Sequence, residues 1–148
     1  MRTDFDTLIT LSTYIINHLT ENKLIEYHVE SRAALIDAFA TELGVCSATD
    51  EDIRDQAVEE VEDKLGEGMI DGDVTETEMF NHARKEIIKS FNGEVISGLY
   101  LVESLNKISK RTKEFFINSD LIEDVFGTDE ELVDFLIKRF RVFNAKRV

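Results

Sequence analysis

Residues Phe5–Leu19 read FDTLITLSTYIINHL, and the spacing within them sets the structural class of the chain. Phe5, Leu8, Ile9, Ser12, Ile15, Ile16 and Leu19 recur at intervals of three and four. That period lines them along one side of a helix, whereas a strand would send them to both faces. A helix over residues 5–20 follows.

The same period predicts five more helices. One over 31–43 uses Leu35, Ile36, Phe39 and Leu43, with Gly44 placed to stop it. One over 50–65 carries Ile53, Ala57, Val58, Val61 and Leu65; Ser47 or Thr49 can cap it and Gly66 ends it. A fourth over 76–91 shows Phe80, Ala83, Ile87, Ile88 and Phe91. A long fifth over 94–118 carries Val95, Leu99, Val102, Leu105, Ile108, Thr112 and Phe115. The sixth, over 129–143, has Leu132, Val133, Leu136, Phe140 and Phe143, and Thr128 with Glu131 forms a capping box at its start. The chain contains no proline, so nothing interrupts these runs.

Phe5–Leu43 also superposes without a gap on Val102–Phe140. Leu8 falls on Leu105, Ser12 on Ser109, Leu24-Ile25-Glu26 on Leu121-Ile122-Glu123, and Leu35 on Leu132. Each copy is a helix, a short link containing LIE, and a second helix in the same phase. The expected fold is therefore all-α: about six helices in a pseudo-symmetric bundle built from two repeated helical hairpins. An acidic helical module would occupy 1–65, a turn or linker 66–78, and a module holding the second copy 79–148, packed as one domain.

The opening Met1-Arg2, the run LSTYIINHLTENKLIEY and the helix after it resemble an uncharacterised bacterial family, the domain of unknown function five-hundred-seven. The resemblance covers roughly residues 1–65 and, through the repeat, 102–143. The chain departs from the family pattern at Thr3-Asp4-Phe5, where a lysine-bearing start is expected. The family brings no agreed activity, and the resemblance implies a helical, bacterial, cytoplasmic protein.

Charge separates the two halves. Met1–Met79 holds 5 Lys/Arg against 20 Asp/Glu, a balance of −15, and Phe80–Val148 holds 12 against 11, a balance of +1. The first half would repel nucleic acid or an anionic membrane and attract a basic partner. Cys46 is the one cysteine, so no intrachain disulfide forms, which fits a reducing compartment. Asp4 and Asp6 sit where a signal peptide would be apolar, and no apolar run approaches the ~20 residues that span a bilayer. The expected location is cytoplasmic.

The stretch Gly66–Phe80, GEGMIDGDVTETEMF, imitates the back of a calcium loop. With Gly72 at the sixth of twelve positions, Asp71 takes the fifth and Glu78 the twelfth, but the third becomes Met69, which offers no hard oxygen. Asp71-Gly72 is also a turn dipeptide, and Thr75 with Glu78 a capping box for the fourth helix. Turn and cap is the favoured reading; Asp71, Asp73 and Glu78 are the weak metal candidates.

His18, His28 and His82 lack the spacing of di-iron or zinc sites. Phosphate-binding glycine loops and nucleophile elbows are missing from the sequence. No cofactor and no catalysis are expected. Lys107, Lys110, Arg111 and Lys113 cluster beside Phe115-Phe116, and the C-terminus interleaves Lys138, Arg139, Arg141, Lys146 and Arg147 with Phe140 and Phe143. Such patterns can hold RNA by phosphate contact and stacking; the favoured alternative turns the phenylalanines to the core. The reading that results is a non-catalytic adaptor binding another protein through an acidic surface, and a homo-oligomer is left open. An RNA- or ribosome-associated factor using the basic C-terminal helix and tail is the alternative, and a weak calcium-binding helix-loop-helix protein the lesser one.

Overall fold

A computed structural model describes residues 3–66, 75–91 and 94–143 of the chain. Six helices are found there: α1 (Thr3–Glu21), α2 (Arg32–Val45), α3 (Asp50–Gly66), α4 (Glu76–Lys89), α5 (Leu105–Asn118) and α6 (Asp129–Val142). Five short strands join them: β1 (Ile25–Glu26), β2 (Ser47–Ala48), β3 (Val95–Ile96), β4 (Leu99–Leu101) and β5 (Asp124–Val125). The all-α class holds, and the strands serve as clasps between helical pairs.

The helices pack as three antiparallel neighbours, α1 on α2, α3 on α4, and α5 on α6. The first and last pairs share one core, in which α1 touches α6 and α2 touches α5. Ile15, Ile16, Leu35, Phe39, Ile108, Leu136 and Phe140 fill it, each at most 2% exposed. Between these two pairs β1 and β5 run antiparallel, Ile25 opposite Val125 and Glu26 opposite Asp124. The third pair, α3–α4, has a separate small core of Ala48, Ile53, Ala57, Ala83 and Ile87. The 66–78 stretch read as a linker thus overlaps the end of α3 and the first turn of α4, two helices that pack on each other.

Two sequence expectations are corrected. The fifth helix does not start at residue 94: Val95–Ile96 and Leu99–Leu101 form a β-hairpin, and the helix begins at Leu105. Ser97 and Gly98 both take positive φ, 47° and 87°, the mark of a two-residue hairpin turn. Ser104, in extended conformation, accepts a hydrogen bond from the Lys107 amide and caps α5. Ile96, Leu99 and Leu101 alternate into the main core, a period-two signal hidden inside an apolar run that also suits a helix.

Gly44, read as a helix stop, lies inside α2, which continues to Val45. A Cβ at Gly44 would meet Leu8 Cδ1 at 3.7 Å, an ordinary contact. Alanine there should therefore stabilise the fold by about 0.5–1 kcal/mol, because glycine inside a helix loses more backbone freedom on folding. Thermal melts of Gly44→Ala check this; a lowered midpoint would mean that α2 does need glycine at that position.

Where α1 stops, no glycine is used. Leu24 N–H donates to the Leu19 carbonyl (2.9 Å) and Lys23 N–H to that of Thr20 (3.0 Å), the paired bonds of a Schellman cap. Lys23 occupies its left-handed position at φ 57°. A lysine gives no sequence signal for that conformation.

Candidate functional site

The strongest concentration of like charge lies on α3. Asp50, Glu51, Asp52, Asp55, Glu59, Glu60, Glu62 and Asp63 share this helix with only Arg54 and Lys64. Seven of these eight acidic residues are exposed and Glu60 is half-buried, while Ile53, Ala57 and Val61 turn inward. The helix starts on a reciprocal cap: Asp52 N–H donates to Thr49 Oγ1, and Thr49 N–H to Asp52 Oδ2, both at 3.1 Å. Asp50, Glu51 and Asp52 also sit against the positive end of the helix dipole, which favours them there.

The α3–α4 pair is fastened to the strands by one polar knot. Arg84 Nη2 lies 3.0 Å from Asp50 Oδ1, and Tyr100 Oη donates to the same oxygen at 3.1 Å. Apolar side chains surface along the far part of the pair: Val58 is 39% and Leu65 40% exposed. With Val61 and Phe80 they floor a shallow groove of about 300 Å³, rimmed by Glu62 and Glu76. An acidic rim around a short apolar strip is a surface that a basic amphipathic helix fits.

The calcium-loop residues Asp71 and Asp73 lie outside the described residues. Glu78 is used as the sequence suggested, its amide donating to Thr75 Oγ1 at 3.1 Å to cap α4. Among the described residues no three His, Cys, Asp or Glu side chains gather into a group that could hold a metal ion.

Several of the basic residues named from sequence have acidic or aromatic partners of their own. Arg111 is clamped between Glu103 (2.9 Å) and Glu42 (3.3 Å), joining α5 to α2. Lys113 lies between Glu114 (3.1 Å) and Asp129 (3.4 Å). On α6, Lys138 is exposed, Arg139 stacks over the Phe135 ring at 5.7 Å, and Arg141 faces Glu94 at 4.0 Å. Phe116, Phe140 and Phe143 are buried and so are not offered to bases. Lys146 and Arg147 lie outside the described residues.

Sequence reasoning missed one pairing. His28, read as isolated, pairs with Glu123 across the β1–β5 crossing. These residues are 95 positions apart, and no local pattern connects them. Cys46 is 1% exposed, packed in the main core behind the Arg111 clamp. Burial pushes its thiol up to about 11; Arg111 pulls it down while Glu103 and Glu42 push it up.

That thiol makes a test. Thiol reagents at pH 8 should leave Cys46 unmodified until denaturant opens the core, with labelling following the unfolding curve. The unfolded thiol ionises near 9 and the folded one only near 11, so its contribution to stability is intact below 9 and declines as pH rises toward 11. Urea midpoints at pH 8 and 10.5 should show this fall in the native chain and a smaller one in Cys46→Ala. Rapid labelling of the folded chain would contradict the burial.

No family model, curated protein or solved structure matches the chain. No helix among the described residues is long and apolar enough to cross a membrane.

Proposed function

We propose that this protein is a non-catalytic helical adaptor that binds a basic protein partner through the α3–α4 face. The observation that carries this reading is the pairing of the exposed acidic residues Asp55, Glu59, Glu62 and Asp63 on α3 with the exposed Val58 and Leu65. The charge draws a basic segment in, and the apolar floor supplies area to bury once it arrives. The placement of α3–α4 outside the main core supports the reading further, since its surface can be occupied without disturbing the other four helices.

The duplication read from the sequence belongs to the same proposal, with α1–α2 and α5–α6 as the two copies forming a scaffold. Matched burial supports it: Leu8 and Leu105, Ser12 and Ser109, Leu19 and Phe116, and Leu35 and Leu132 are all buried. Val29 and Phe126, equivalent in the same register, are both exposed.

The test is affinity capture of the tagged chain from bacterial lysate, with and without nuclease, alongside a Glu59→Lys, Glu62→Lys, Asp63→Lys variant. All three positions are exposed, so the variant should fold. A dominant protein kept after nuclease and lost by the variant is the expected result. Loss of everything with nuclease, together with loss on reversing Lys138, Arg139 and Arg141, would move the function to RNA.

A further inference from the structure

We propose that the outer face of the α1–α2 hairpin binds a second copy of this chain, with the two hairpins antiparallel about a two-fold axis. This face differs from the rest of the surface in its charge. Thr7–Thr20 holds no Asp, Glu, Lys or Arg, although these make up 32% of the chain. Its outward stripe is Thr10, Thr13, Asn17 and Thr20, spaced three and four apart. On α2 the exposed residues are Ala33, Ala34, Asp37, Thr41, Gly44 and Val45. The two stripes adjoin. Arg32 Nη2 donates to Asn17 Oδ1 at 2.6 Å, and Leu8 Cδ1 lies 3.7 Å from where a Gly44 Cβ would stand.

The α5–α6 hairpin provides an internal comparison. In the gapless register of the sequence, Thr10, Thr13, Asn17, Ala33, Ala34 and Thr41 fall on Lys107, Lys110, Glu114, Glu130, Glu131 and Lys138. The second set is exposed and charged throughout, as a solvated helix face is. The first set carries no charge at all. Its hydroxyls are also satisfied in advance: Thr10, Thr13, Thr20 and Thr41 each donate to the carbonyl four residues back, at 2.7–2.9 Å. Covering these side chains therefore strands no donor. Two helices of this length offer a footprint of roughly 500 Å² per copy. That is at the small end for a dimer, so association at micromolar concentration is expected.

Charge selects a second copy as the occupant. At a net charge of −14, two copies can meet where carboxylates are absent or matched. The exposed faces of α3, α4, α5 and α6 carry charges such as Glu59, Glu86, Lys107 and Lys138. The few charges on the α1–α2 face are matched in an antiparallel pair. An axis between Ala34 and Leu35 sets exposed Asp37 against the partner's Arg32, and one between Tyr14 and Ile15 sets exposed Asp6 against the partner's Lys23. Asn17 and Arg32, in contact across the hairpin, lie equally far from those two midpoints, so a single axis serves both pairs. Laid parallel on its own copy, α1 would instead oppose Asp6 to Asp6. Ala33 and Ala34 stand at the crossing, where small side chains let helices approach closely. Repulsion between more distant charges is damped beyond about 8 Å at physiological salt. The adaptor reading of α3–α4 uses none of these residues, and each proposal can fail without the other.

The test is sedimentation equilibrium of the full chain from micromolar to millimolar concentration. A reversible monomer–dimer equilibrium is expected, weakened by about tenfold or more in Thr13→Glu with Ala34→Glu, since symmetry counts each new carboxylate twice. Asp6→Lys and Lys23→Asp should each weaken it alone. An equal mixture of those two variants should regain native affinity, because each Lys then faces an Asp. Aspartate suits the left-handed backbone of residue 23, at φ 57°, and thermal melts check that every variant folds. A chain monomeric throughout would overturn the proposal. So would dimers indifferent to Thr13→Glu with Ala34→Glu, dimers lost with Glu59→Lys on α3, or a mixture no tighter than its components. Capture of a different protein by this face, with the chain itself monomeric, would also overturn it and assign the face to that partner.

Discussion

Replacing Phe39 with alanine is expected to cost about 3–5 kcal/mol, the range for removing a fully buried aromatic ring, and to lower the melting midpoint by roughly 10 °C for a chain of this length. Phe39 is 0% exposed and sits where the two outer hairpins meet. Its ring lies 4.9 Å from that of Phe116 and 5.4 Å from that of Phe115. Removing it takes packing away from α2 and α5 together. Phe39→Leu, which keeps much of the volume, should lose far less. Equilibrium denaturation of the two variants checks the order; equal losses would mean that the ring contacts add nothing beyond bulk.

The second large effect should be local. Ile53→Ala is expected to cost about 2–4 kcal/mol, the range for a buried isoleucine, but to spend it on one part of the molecule. Ile53 is 0% exposed in a core of five buried residues among those described, three of them alanines. A core that thin has no reserve. Hydrogen exchange should quicken in α3 and α4 while α1, α2, α5 and α6 stay protected, because regions with few buried contacts open as separate units. Partner capture through α3 should fall in parallel. A uniform rise in exchange over all six helices would show that the two cores unfold as one.

Helix positions followed from spacing because the buried stripes are long. Leu8 to Leu19 and Leu132 to Phe140 each cover more than two turns, so period 3.6 separates cleanly from period two. Strands of two or three residues cannot establish a period. Val95–Leu101 was absorbed into the neighbouring helix for that reason, although Ser97-Gly98 marked the turn. The Thr75, Ser104 and Thr128 caps are local and can be found from sequence, since each needs a hydroxyl three residues ahead of the amide it serves. Pairings such as Arg111 with Glu42, or His28 with Glu123, depend on how hairpins stack, and charge patterning along one chain contains no information about that. The acidic face was visible because it is a property of a single helix.

The three-stranded clasp has one more consequence. In the order β2-β4-β3, Ala48 and Val95 both stand opposite Tyr100, one on each side. The chain therefore leaves for α3 and returns from α4 at points two strand spacings apart, roughly 10 Å. No described residue between 49 and 94 belongs to the main core. The α3–α4 arm is in effect a cartridge: exchanged for a linker of about four residues, long enough to cross that gap, it could be lifted out with its host left whole. Other helical pairs could be seated on the same two roots, and the acidic face would then be a replaceable head on a fixed handle.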